Sequence, residues 1–307
     1  MTLEDIATGQ SAVIGRFNGA IRGVGNQMEP VAEGFIRLGV PAMNRLAASP
    51  GDWVFIDEIG YLESGCPAYQ DALEELLAQK SVLAVLRKQD TPLLERLKAR
   101  EDAFVVDLDR PLPTVACILM ASGQGVRFGG NKLLADFHGE PLIGRALSAT
   151  DTALLSRRIV VTRCPEIAAL CQGMGVEAAL HDQPYRSDTV RIGLERLDPD
   201  PPDGCVFCPC DQPLLTRDTL EALVCAFIGQ PERIHRLSWQ GTPGSPMIFP
   251  RRCFSALKTL PQGKGGSHVA RSSGERVLYT EASSAWELMD VDTPEDLRTL
   301  EKNNAAP

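Results

Sequence analysis

Four glycines and two cations share one short stretch, Ala121-Ser122-Gly123-Gln124-Gly125-Val126-Arg127-Phe128-Gly129-Gly130-Asn131-Lys132. Glycine lets a backbone come close to an anion that side chains would otherwise hold off. Arg127 and Lys132 supply the positive charge that a polyphosphate requires. The spacing is not the Walker A pattern, because no Gly-Lys-Ser/Thr closes it, and it contains no Gly-x-Gly-x-x-Gly dinucleotide fingerprint. On the loop alone, a plain turn with two solvated cations stays open as the alternative.

Carboxylates of the right type stand elsewhere in the chain. Asp211 follows the apolar run 204–210 and is either a strand-end magnesium ligand or a turn-capping residue. In Asp290-Val291-Asp292-Thr293-Pro294-Glu295-Asp296, Thr293 as N-cap, Pro294 at the first helical position and two acids in the first turn spell a helix start. That grammar leaves Asp290 and Asp292 unexplained. Asp57 and Glu58 end the apolar run 53–56, as the acids of a Walker B strand do; the first can order magnesium water and the second can polarise a nucleophilic water. Arg186, Ser187, Asp188 and Thr189 open a helix, where they suit base or ribose contacts, or capping. Cys205-x-x-Cys208-x-Cys210 lacks a fourth ligand at a familiar spacing and reads as core. His138, His181, His235 and His268 show no metal-ligand spacing and read as structural or exposed.

The elements that must position these residues alternate. In the first third, apolar periodicity predicts a helix over 27–48, interrupted near Gly39 and Pro41. A strand over 53–58, an amphipathic helix over 68–80, a strand over 82–86, a helix over 92–99 and a third strand over 104–108 follow. Arg110-Pro111-Leu112-Pro113-Thr114 resists both helix and central strand and reads as a linker, 111–114. Beyond it, strands over 115–120, 158–162, 176–180, 205–210 and 233–237 are interleaved with helices over 142–149, 165–173, 187–197 and 219–227. The fold class expected is α/β: a Rossmann-like doubly wound domain at 115–303 preceded by a partial α/β domain at 1–110. Ligands of such sheets bind beyond the carboxyl ends of the strands.

Composition narrows the partners. A net charge of -9 argues against nucleic acid, which leaves a basic footprint, yet a local Arg/Lys cluster can still hold a small anion. No run approaches the roughly 18 apolar residues of a membrane helix, and the acidic start Met1-Thr2-Leu3-Glu4-Asp5 is not a signal peptide. Nine scattered cysteines, an odd number, fit reduced thiols in a cytoplasm.

Wording around these residues is more specific than their types. Leu119-Met120-Ala121-Ser122-Gly123, Arg127, Lys132-Leu133-Leu134 and Gly139-Glu140-Pro141-Leu142 resemble the opening L-A-A-G-x-S-x-R-M-G-x-x-K-L-L…G-x-P-L of molybdenum-cofactor cytidylyltransferases and their guanylyltransferase relatives. Asp211-Gln212-Pro213-Leu214 resembles that family's G-D-x-P-L, with Cys210 where glycine is usual, and residues 290–297 resemble D-I-D-T-P-E-D-L. Arg186 to Leu194 resembles R-x-x-S-V-x-x-G-L of other cytidylyltransferases, and Gly244-Ser245-Pro246 stands where the family has G-H-P. Gly263-Lys264-Gly265-Gly266 resembles G-D-x-G-A-R, with Lys264 replacing an acid. The resemblance implies a magnesium-dependent nucleotidyltransferase. Asp211 and Asp292 would hold Mg²⁺, and Arg127 and Lys132 would act on the triphosphate of CTP or another NTP. Ala121, Ser122, Gly123, Gly125, Arg186, Ser187, Asp188 and Thr189 would bind the nucleotide. The acceptor implied is molybdopterin, bordered by a loop at Gly244, Ser245 and Pro246, with a molybdenum enzyme as a further partner. The wording Ala121-Ser122-Gly123 lies nearer the cytidylyl A-A-G than the guanylyl A-G-G. A sugar or polyol phosphate acceptor, or a non-catalytic nucleotide-binding assembly factor, are the alternatives.

Residues 54–63, Val-Phe-Ile-Asp-Glu-Ile-Gly-Tyr-Leu-Glu, resemble the I-D-E-I-G-x-x-E segment of small P-loop nucleoside triphosphatases. No G-x-x-x-x-G-K-S/T occurs in the 307 residues, so the Asp57–Glu58 pair reads as a vestigial Walker B without a phosphate cradle. The expectation is a region inactive in NTP hydrolysis. It is either the remainder of a domain whose first unit lies outside this sequence or a degenerate domain kept for packing or partner contact.

Overall fold

A computed structural model describes residues 1–21, 27–100, 102–123, 125–274 and 276–304, with the side chain of Asn304 excepted; Gln124 of the glycine-rich stretch lies outside the described residues. The chain divides into two compact units, Met1–Val105 and Val106–Pro307.

Among the described residues the first unit holds three two-stranded sheets. β1 (Thr2–Asp5) and β2 (Gln10–Val13) pair antiparallel, as do β3 (Gly15–Phe17) and β4 (Met28–Pro30). β5 (Trp53–Ile59) and β6 (Ser81–Leu86) pair parallel, as strands on either side of a crossover helix must. That helix, Pro67–Gln79, buries Tyr69, Leu73 and Leu76 against Val54 and Ile56 of β5. The helix expected over 27–48 begins later: Met28–Pro30 is strand, and the helical run covers 32–47 with a π-helical turn at Phe35–Gly39. The strand expected over 104–108 is absent. Its apolar residues have the right pattern but no neighbouring strand to bond, and Phe104, Val105 and Leu108 are exposed.

The second unit is built on one seven-stranded sheet. Its strands are β7 (Val115–Ala121), β10 (Arg157–Thr162), β11 (Glu177–Leu180), β12 (Gly204–Pro209), β13 (Ile234–Trp239), β14 (Thr242–Pro250) and β15 (Val277–Glu281). Between β7 and β10 the chain adds a small hairpin, β8 (Asp136–Phe137) with β9 (Glu140–Pro141). The order is β11-β10-β7-β12-β14-β13-β15, and only β14 runs against the rest. After β7 the chain moves outward through β10 and β11, then returns to place β12 on β7's other side. That reversal is a topological switch point, and it puts the carboxyl ends of β7 and β12 side by side.

Both faces of this sheet are covered. Along β7, Val115, Cys117, Leu119 and Ala121 enter one core and Ala116 and Ile118 the other, so its sequence is apolar without alternation. Helices Ile143–Ala149, Pro165–Gly173 and Arg217–Gly229 contribute to the first core, and helices Arg186–Arg196, Phe254–Lys258 and Gly266–Ser272 to the second. The segment around Gly244, expected as a loop, is the first half of a central strand. Pro243, Pro246 and Pro250 each lack an N–H, and the pairing of β13 with β14 shifts register between Arg236 and Ser238.

Candidate active site

β7 delivers the glycine-rich turn. Gly125 has φ +59°, and a Cβ there would lie 1.9 Å from the Gly130 carbonyl oxygen, so the turn closes only on glycine. The Gly125 carbonyl accepts from the amides of Phe128 at 2.9 Å, Gly129 at 3.0 Å and Gly130 at 3.4 Å. Three of the loop's amides are thus used to hold its own shape, and the charge at this edge is left to side chains. At the start of the turn, Ser122 Oγ donates to Val161 O at 3.0 Å and lies 2.8 Å from His181 Nε2. With its proton committed, Ser122 can only accept from His181, which places the imidazole proton on Nε2. Burial pushes the His181 pKa down and the Arg163 charge adds to it. His181 Nδ1 is buried without a hydrogen-bond partner among the described residues.

β12 delivers Asp211, two residues past its end. The Asp211 carbonyl accepts from Val291 N at 2.8 Å, and Val291 is fully buried in the core. Pinning Val291 turns its neighbours Asp290 and Asp292 the other way, because side chains alternate along extended chain. The carboxyls of Asp211 and Asp292 then meet on Lys132: Nζ lies 2.7 Å from Asp211 Oδ2 and 3.0 Å from Asp292 Oδ1. Arg127 Nη2 takes the other Asp292 oxygen at 2.7 Å. Burial pushes the Lys132 ammonium down, and the two carboxylates outweigh it, so its pKa is raised and it stays charged. Its side chain is only 10% exposed, whereas that of Arg127 is 72% exposed.

The helix start at Thr293 anchors this segment. Asp296 N donates to Thr293 Oγ1 at 3.2 Å, and Asp296 Oδ2 accepts from Thr293 N at 2.8 Å. Asp290, which sequence reasoning left without a role, stands beside the pair and is exposed. Gln212 Nε2 donates to Asp290 Oδ1 at 2.9 Å and to Leu288 O at 3.2 Å. Desolvation raises the Asp290 pKa, and the Asp211 charge raises it further.

The remaining expected residues fall in two places. Arg186 opens the helix Arg186–Arg196 and is exposed, with its stem 3.3 Å from where a Gly265 Cβ would stand. Ser187 and Thr189 are buried, and Asp188 caps the helix by accepting from Tyr185 N at 3.2 Å. Gly244 lies against Leu288, which a Cβ would approach to 2.7 Å, and its carbonyl accepts from Arg236 Nε. β14 pairs with β12 up to Met247 opposite Phe207, so Gly244, Ser245 and Pro246 lie toward the end of the sheet from which Asp211 emerges. Cys205 faces one core and Cys208 and Cys210 the other, so the three thiols share no site. In the first unit, Glu58 has φ +88° and pairs with Arg87 Nε at 2.7 Å, and Asp57 is exposed within β5, two residues before its end.

Among the described residues no three His, Cys, Asp or Glu side chains are set as a preformed metal cage. Two converging carboxylates are nevertheless the hard oxygen donors that magnesium takes, with substrate phosphates and water completing the shell. The position between them already holds a cation, the Lys132 ammonium, so the donor set fits a metal ion in charge and chemistry. His181 and Asp290 were missed because the contacts that distinguish them, to Ser122 and to Gln212, span 59 and 78 residues of sequence.

Residues 117–277, more than half of the chain, match the model of the MobA-like NTP transferase domain, and residues 2–111 match that of an NTPase family. Purine catabolism protein PucB of Bacillus subtilis is 28% identical over 201 residues, covering 60% of this chain and 94% of its own. The 3-deoxy-manno-octulosonate cytidylyltransferase of Nitrobacter hamburgensis is 31% identical over 167 residues, 48% of this chain and 64% of the enzyme. Among solved structures, Rv0371c of Mycobacterium tuberculosis H37Rv aligns with a TM-score of 0.54 at 22% identity, over 62% of this chain and 98% of its own, which speaks to fold.

Proposed function

The chain belongs to the MobA-like NTP transferase domain family, and on that premise we propose that it transfers CMP from CTP to a phosphorylated acceptor of the molybdopterin type, releasing pyrophosphate. One observation carries the reading: Asp211, Asp292, Lys132 and Arg127 converge within 3.0 Å contacts beside the glycine turn, at the carboxyl ends of β7 and β12.

An acceptor phosphate oxygen attacks the α-phosphorus. A new P–O bond forms there, the bond to the β-phosphate oxygen breaks, and pyrophosphate leaves with that electron pair. An ionised phosphate acceptor has no proton to lose, so no general base is required. Arg127 and Lys132 neutralise charge on the triphosphate and on the departing pyrophosphate. Asp211 and Asp292 would hold Mg²⁺, whose chemistry is to offset phosphate charge and fix the α-phosphate's orientation. Ala121, Ser122, Gly123 and Gly125 lie along the triphosphate, and Arg186, Ser187, Asp188 and Thr189 lie on the ribose and base side. Gly244, Ser245 and Pro246 border the acceptor. We assign the transfer domain to 115–303 and the linker to 111–114. We assign 1–110 to a region inactive in NTP hydrolysis, with Glu58 engaged by Arg87. A molybdenum enzyme is the partner that would receive the product. None of the nine cysteines forms a disulfide, which agrees with a cytoplasmic setting, and no helix among the described residues is long and apolar enough to cross a membrane.

A second reading has a specific basis. Ser245 and Lys264 stand where the resemblance calls for His and an acid, and a relative above 30% identity is named as a sugar-acid cytidylyltransferase. That favours a sugar or polyol derivative as the competing acceptor. Pyrophosphate release measured for CTP, GTP, ATP and UTP against molybdopterin and against sugar phosphates separates the two. CTP with molybdopterin should be fastest. Release with no NTP–acceptor pair, while nucleotide still binds, would leave a non-catalytic assembly factor.

A further inference from the structure

Lys132 stands where a divalent ion would have to go. Its ammonium bridges Asp211 Oδ2 and Asp292 Oδ1 at 2.7 and 3.0 Å, and Arg127 occupies the outer oxygen of Asp292. Asp211 and Asp292 are answered by two side-chain cations, and the neighbouring Asp290 is engaged by Gln212, so a metal ion arriving alone meets carboxylates already ion-paired and a like charge. The backbones that carry the two carboxylates are tied to each other. Asp211 is tied through its carbonyl to Val291 N, and Val291 is locked in the core. The lysine can move while its backbone stays. Leu133 is buried, and Asn131 Oδ1 accepts from Leu133 N at 3.2 Å, which fixes the chain around residue 132. Four methylenes then give the ammonium a choice of partners.

We propose that Lys132 is the resting counter-cation of the Asp211–Asp292 pair, and that the triphosphate and the divalent ion are taken up together because only the phosphates offer Lys132 another anion. The inference rests on the transferase reading, which puts both ligands at this pair. It makes the two bindings reciprocally coupled: nucleotide tightens metal by the factor by which metal tightens nucleotide. Lys132 is then a positioning group as well as a phosphate contact. It keeps the site from filling with metal in the absence of nucleotide.

Mn²⁺ binding by the full chain, followed by electron paramagnetic resonance of the free ion, tests this. The chain alone should bind Mn²⁺ weakly, and the α,β-methylene analogue of CTP should tighten it by at least about tenfold. Lys132→Met should tighten nucleotide-free Mn²⁺ binding by about tenfold or more and abolish the enhancement by the analogue. Lys132→Arg should keep the weak binding of the parent. Loss of folding would weaken Mn²⁺ binding, the opposite sign. If Lys132→Met binds Mn²⁺ no more tightly than the parent, while Asp211→Asn abolishes uptake with the analogue, the lysine does not guard the pair and the proposal falls with the transferase reading intact. If Asp211→Asn leaves that uptake unchanged, the carboxylates hold no ion and both fall.

Discussion

β7 and β12 in the second unit and β5 and β6 in the first are both parallel pairs, and both units bring acids to the end of an apolar strand. Their surroundings differ. Every residue of β12 is buried, while β5 and β6 bury one face and leave Trp53 75% exposed, Phe55 61% and Leu83 60%. Parallel strands are ordinarily covered on both sides. At the covered sheet two cations meet the carboxylates beside a glycine turn; at the half-covered one Glu58 meets only Arg87 among the contacts described, and no phosphate-loop motif accompanies it. Acids at a strand end alone do not reproduce the arrangement proposed for the second unit, in which a neighbouring strand brings the glycine turn to the same edge.

This contrast can be broken most forcefully at the carboxylates. Asp292→Asn should lower nucleotidyl transfer by at least about a hundredfold, since ion and lysine both lose a charged partner. Asp57→Asn should leave it within about twofold. Steady-state pyrophosphate release reads both, and comparable losses would erase the distinction between the units.

Core substitutions sharpen it. Leu119→Ala, in a fully buried strand, should cost about 2–5 kcal/mol. Phe55→Ala, on the open face, should fall within about 0.5 kcal/mol. Denaturant unfolding compares them, and a large loss at Phe55 would mean that face is covered in solution.

Arg127 gives a smaller effect. It is mostly exposed, so Arg127→Ala should raise KM for the nucleotide by about tenfold with a lesser change in kcat. A fall in kcat alone would place its action in the transition state.

The least effect concerns pH. Burial pushes the His235 imidazole down, and its Nε2 contacts Gln230 O at 3.0 Å. With the folded pKa below the unfolded one, the unfolded chain binds the proton first, so stability is lost as pH falls below about 6.5. The thermal midpoint of the second unit should drop on acidification, and His235→Gln should flatten the drop. An unchanged slope would mean His235 titrates normally.

Much of this was legible where a residue's partner lies near it in sequence. β7 was readable from its unbroken apolar run, and the helices Pro165–Gly173 and Pro294–Asn304 from proline and cap signals at their starts. β14 was hidden by three prolines and Gly244, which spell a loop, because its place between β12 and β13 depends on strands made elsewhere. The run at 104–108 shows the converse, strand-like residues without a neighbour. At the site, the types of Asp211 and Asp292 were readable. Their meeting on Lys132 follows from Val291 lodging in the core, and the sequence carries no local mark of that.

In a crystal structure of the chain with Mn²⁺ and the α,β-methylene analogue of CTP, the anomalous signal of the metal should lie between the carboxylates of Asp211 and Asp292, with the glycine turn along the triphosphate and Lys132 on its oxygens. Metal and triphosphate found instead at β5, beside Asp57, would contradict that placement.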